Sequence, residues 1–248
     1  MERLTSRAGV TFRELDERLI IETLSRLRDR INERFPGSGL GQVASELLTL
    51  AHEATADVAY LRRPHWGVRI AIGITIALII VVIVAVVMTI RIEAPARVDG
   101  FPELIQLVES GINDLIFLGL AIFFLLGIEA RIKRRRALAA LHELRSLVHI
   151  VDMHQLTKDP DRLLSTEPDT TSSPERPMGA AELGRYLDYC SELLSLASKV
   201  AALFVQHFND SVVLAAVDEI ETLASGFSSK IWQKITMLER STRAAAAK

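Results

Sequence analysis

The sequence predicts an all-α membrane protein, a two-helix transmembrane hairpin with a cytoplasmic helical bundle built from N- and C-terminal helical hairpins. Three observations carry this expectation. Residues 70–90 read IAIGITIALIIVVIVAVVMTI without a charge, and about twenty apolar residues suffice to cross a bilayer as helix. Basic residues crowd the outer flanks of this stretch and of a second apolar stretch, and are sparse between the two. Elsewhere apolar residues recur at steps of three and four, the period of a helix buried along one side.

The chain opens with a cytoplasmic hairpin over residues 1–63. Thr11 followed by Glu14 fits a capping box, after which Leu15, Ile20, Leu24, Leu27, Ile31 and Phe35 form one stripe. Pro36-Gly37-Ser38-Gly39 breaks it, and Val43, Leu47, Leu50, Ala54, Val58 and Leu61 mark a second helix. The glycines at 37, 39 and 41 resemble part of a phosphate-binding loop, but no strand precedes them and no Lys-Ser or Lys-Thr follows, so a helix–helix turn explains them. Residues 1–7 lack the apolar core and small-residue cleavage site of a secretory signal, so insertion is expected to be directed by internal segments.

A transmembrane hairpin is expected over 64–136, with spans at about 69–91 and 112–132 and an exterior loop at 92–111. The second span is less clean than the first, because LIFLGLAIFFLLGI at 115–128 needs its polar flanks to complete the crossing. Arg62, Arg63 and Arg69 precede the first span, and Arg131, Lys133, Arg134, Arg135 and Arg136 follow the second. Anionic inner-leaflet lipid attracts such flanks, which places both termini in the cytoplasm and the protein in the cell inner (plasma) membrane. Within the exterior segment, Glu109 and Asp114 are candidates for an acidic pore mouth in a ring of subunits; an interfacial carboxylate that snorkels or caps a helix is the plainer reading of Asp114.

No breaker follows the second span, so a stalk helix is expected over 137–156. Residues 157–179 gather four prolines with Ser, Thr and Asp, the composition of a flexible linker. The C-terminal hairpin, 180–240, carries Leu183, Leu187, Cys190, Leu194, Ala197, Ala201, Phe204 and Phe208 along one seam. Asn209-Asp210-Ser211 breaks and recaps the chain. Val213, Val217, Ile220, Ala224, Phe227, Ile231, Ile235 and Leu238 then continue the pattern, with Gly226 a potential kink and 241–248 a tail. Neither hairpin can bury its stripe alone, so both, with the stalk, should pack into one bundle or into an oligomer.

Composition narrows the function classes. A net charge of −2 with acids and bases interspersed along the helices argues against a nucleic-acid partner, which would need a basic face outside the membrane flanks. Cys190 is the only cysteine, which removes any intrachain disulfide, and a small buried packing residue is the expected role. His142-Glu143 begins like a metalloprotease motif but lacks the second histidine four residues on. His142, His149 and Asp152 remain weak metal candidates, and His52, Glu53 and Asp57 would join them only if the two helices packed side by side. No cofactor is expected. The leading expectation is a non-enzymatic scaffold, adaptor or signalling subunit whose partners are the lipid bilayer and either a protein or a second copy. An oligomeric cation channel lined by the second span and a membrane-anchored metal-dependent enzyme are the alternatives.

Overall fold

The structure, a computed structural model, describes residues 14–62, 66–97, 101–158, 160 and 178–246, with some helical side chains left out. The described residues are helical with no strand, in six helices: α1 (Glu17–Arg34), α2 (Gly39–Arg62), α3 (Trp66–Arg97), α4 (Phe101–Leu156), α5 (Ala180–His207) and α6 (Ser211–Ala246). They fall into two compact units. One comprises residues 1–62 and 136–248, so it is discontinuous in sequence, and the other comprises 63–135. The expected linker at 157–179 lies almost wholly outside the described residues.

The discontinuous unit is a five-helix bundle of α1, α2, the last part of α4, α5 and α6, sharing one apolar core. Helix α1 starts later than Thr11 and Glu14 suggest. Asp16 is its cap, with a carboxylate that accepts from the Arg18 amide at 2.9 Å, while Thr11 lies outside the described residues. Ile20, Leu24, Leu27 and Ile31 are buried as the stripe requires, but Leu15, ahead of the cap, is exposed. Phe35 closes the helix edge-on to Tyr186, with ring centroids 5.4 Å apart. The turn that follows needs Gly37, whose φ of +70° is strained for any residue with a Cβ, and the Ser38 hydroxyl then accepts from the Gly41 amide at 3.2 Å to start α2.

Helix α5 is the centre of the bundle. Its predicted seam is buried from Leu183 to Phe204, and so are Tyr186, Tyr189, Leu193, Leu196, Val200 and Leu203, which the seam omits. A one-sided stripe describes a helix with a solvent face, and α5 is covered on most of its circumference. At its N-terminus the Glu182 carboxylate accepts from the Gly179 amide at 3.2 Å. The break before α6 is capped by Asp210, which is buried and accepts from the amides of Val212 at 3.0 Å and Val213 at 3.2 Å. Helix α6 then runs through Gly226 without interruption.

The second unit holds α3 and the beginning of α4. The segment expected as an exterior loop is largely helical, since α3 extends to Arg97 and α4 begins at Phe101. Pro102 sits in the first turn of α4, where its missing N–H costs nothing, and ELIQLVES simply continues the helix. Among the described residues no helix is long and apolar enough to cross a membrane. The described side chains of this unit are nevertheless apolar and exposed on opposed sides. At about 100° per residue, Ile74 and Ile83 point in opposite directions on α3, yet both are exposed, at 64% and 42%. Ile116, Phe117, Leu120, Phe123 and Phe124 are exposed on α4.

Candidate functional site

Helices α2, α4 and α5 enclose a cavity of about 240 Å³. Its floor is apolar, with Leu144 and Phe204 buried to within 2% and Val200 beside them. Small residues, Ala54 on α2 with Ala139 and Ala140 on α4, leave the gap, because methyl groups cannot fill the space between two helix axes. Three carboxylates line it, Glu53 and Asp57 from α2 and Glu143 from α4. The two helices do lie side by side here. Arg136 Nε donates to the Asp57 carboxylate at 2.6 Å, and its guanidinium sits 4.2 Å from the centre of the Tyr60 ring. Glu53 and Glu143 have no hydrogen-bond or ion-pair partner among the described residues.

The histidines expected to join such a cluster do not. His52 and His142 are exposed on their helices and do not line the cavity. His149 packs edge-on to Phe227 on α6, with ring centroids 5.7 Å apart. Asp152 accepts from the Gln155 side-chain amide at 2.6 Å. Among the described residues no group of three or more His, Cys, Asp or Glu is placed to hold a metal ion. Glu109 is exposed on α4, and the Asp114 side chain lies outside the described set.

Several of the basic residues read as membrane-orienting have structural partners as well. Arg62 reaches the Glu17 carboxylate at 3.2 Å, Lys133 pairs with Glu129 at 3.0 Å, and Arg131 lies 4.8 Å from the centre of the Phe124 ring. Arg135 is exposed and Arg134 is half-buried. Arg63 lies outside the described residues, as does the Arg69 side chain.

A second polar group forms where α4 ends. Lys234 of α6 donates to the backbone carbonyls of Gln155 at 2.8 Å and Lys158 at 3.3 Å, so its ammonium finishes the helix C-terminus that the chain left open. Gln155 is buried, and its side-chain carbonyl has no partner among the described residues. His154 Nδ1 lies 3.4 Å from the Tyr186 hydroxyl. Its ring fills the space beside Gly39, where an added Cβ would come within 2.5 Å of the imidazole. Cys190 is buried in the same helix as Tyr186. Burial pushes its thiol up to about 12, which favours the neutral form suited to packing.

Burial, reinforced by the Lys158 ammonium, lowers the His154 pKa below its ordinary value. The neutral ring is therefore favoured by folding. The stability it contributes is present above the unfolded value near 6.5 and is lost as pH falls through the lowered folded value. Thermal melting of the wild type should weaken on acidification from about pH 7.5 to 5 more than that of His154→Gln. Parallel pH dependences of the two proteins would contradict this assignment.

From the sequence, Glu53 and Asp57 are second-helix carboxylates that matter only if two helices pack side by side, and their neighbours are not legible there. Glu143 was legible only as part of a failed metalloprotease motif, and Phe204 only as a seam residue. The sequence matches no protein-family model, no curated protein and no solved structure.

Proposed function

We propose that the chain is a multi-pass integral membrane protein of the cell inner (plasma) membrane, anchored by α3 and the first part of α4, whose helical bundle is a non-enzymatic binding module. The observation that carries the anchor is the exposure of large apolar side chains on opposed sides of α3, since an amphipathic surface helix has one polar side and α3 shows none among its described positions from Ile70 to Val84. Lipid is the environment that such a surface fits. Basic residues on the outer flanks of the two apolar stretches and their scarcity between those stretches support cytoplasmic termini. The bundle supports a binding role, because a cavity whose Glu53 and Glu143 carboxylates have no partner among the described residues remains open.

Cysteine labelling tests the topology directly. The single native thiol is buried, and burial raises its pKa, so it should stay silent to maleimide in the folded protein. An Asp99→Cys variant should react with a membrane-impermeant maleimide in intact cells, and a Glu143→Cys variant only after lysis. Equal labelling of both in intact cells, or release of the wild-type chain by alkaline carbonate, would sink the proposal.

A further inference from the structure

The α2–α4–α5 cavity has a composition that selects its occupant. Asp57 is neutralised by Arg136, so the uncompensated charge at the mouth is that of Glu53 on one helix and Glu143 on the next. Below them lie Leu144, Val200 and Phe204. A group that satisfies both levels is aliphatic along its length and cationic at its tip. The volume, about 240 Å³, falls under the roughly 300–1,000 Å³ of small-molecule pockets, which suits one inserted side chain better than a cofactor or drug-sized ligand.

We propose that this cavity receives an arginine or lysine side chain presented by a helix of a partner protein. The inference rests on the reading of the bundle as a binding module and names the chemistry of what it binds. A helix is the fitting carrier because Ala54, Ala139 and Ala140 leave the groove between α2 and α4 shallow-walled, which lets a third backbone approach. Arginine fits best, since its planar fork matches a carboxylate in two hydrogen bonds while its stem covers the apolar floor. Charged side chains that anchor in a pocket carry much of the energy of an interface.

The test uses the full-length protein in its native membrane, with the photo-crosslinking residue p-benzoylphenylalanine in place of exposed Ala139 at the cavity mouth. The expected result is an adduct whose attached segment, sequenced by mass spectrometry, is helical in its own protein and carries Arg or Lys beside the crosslinked residue. Its yield should drop at least tenfold when Glu53→Gln and Glu143→Gln are combined, while melting temperature and membrane retention are unchanged. An adduct to lipid, to a segment without a basic residue, or one that survives the double substitution overturns the inference. So does silence at Ala139. A parallel crosslinker at exposed Met153 on α4 separates the two claims: adducts there with none at Ala139 leave the binding module standing and remove only this site. Loss of the chain from the membrane fraction would strike the anchor instead.

Discussion

Truncating Phe204 to alanine is expected to destabilise the bundle by about 3–5 kcal/mol, the usual range for removing a buried aromatic side chain. Phe204 is 1% exposed and sits on α5, the helix that both hairpins pack around. Its ring also forms the floor of the α2–α4–α5 cavity. The void left by the ring therefore opens into space that is already unfilled, and the alanines on the neighbouring helices have nothing to move into it. Against a total stability of roughly 5–15 kcal/mol, the variant should show a clear fall in denaturant midpoint, with the slope unchanged if the transition stays two-state. Leu50→Ala, on the wall of the same cavity but only half-buried, should cost less. A loss below about 1 kcal/mol for Phe204→Ala would mean that the cavity collapses freely.

The second large effect is expected on α3. Leu78 and Val81 are 64% and 63% exposed. In water, replacing such residues with arginine would be neutral or would improve solubility. In a bilayer each arginine near the helix centre costs about 2.5–3.5 kcal/mol of insertion free energy. The double variant Leu78→Arg with Val81→Arg therefore has opposite outcomes in the two environments. The proposed anchor predicts that it leaves the membrane pellet or is degraded, while the wild type resists carbonate extraction. If the variant is recovered at wild-type levels in the same fraction, α3 does not span.

Most of the bundle was legible because burial imposes periodicity on sequence. The seam from Leu183 to Phe204 and the stripe from Ile20 to Ile31 are read by spacing alone. Spacing fails for α5 as a whole: Tyr186 and Tyr189 interrupt no pattern, yet both are buried, Tyr189 beneath the Arg30 guanidinium at 5.1 Å. A central helix has no polar side to set the phase. The cap of α1 was misplaced for a different reason. Thr11 and Asp16 are both competent caps, and which one stops the helix is decided by where packing begins, at Ile20. The same holds for the cavity. Glu53 and Asp57 share α2, but Glu143 lies 86 residues beyond Asp57 in the sequence, and their convergence depends on α2 lying along α4, for which no local signal exists. Arg136, read as a membrane-orienting charge, is also the residue that joins those helices through Asp57.

The discontinuity of the bundle bears on how the protein is made. Helices α1 and α2 leave the ribosome first, carrying the apolar face from Ile20 to Leu61. The helix that covers them, α5, starts only at Ala180. At about 5–20 residues per second, the synthesis of everything between takes on the order of ten seconds. During that interval the N-terminal hairpin is a sticky pair covered at most by the end of α4, available to a chaperone or to the same hairpin on a neighbouring nascent chain of the polysome. Assembly therefore waits on the synthesis of α5, and a message truncated before it would leave the N-terminal hairpin without its main cover.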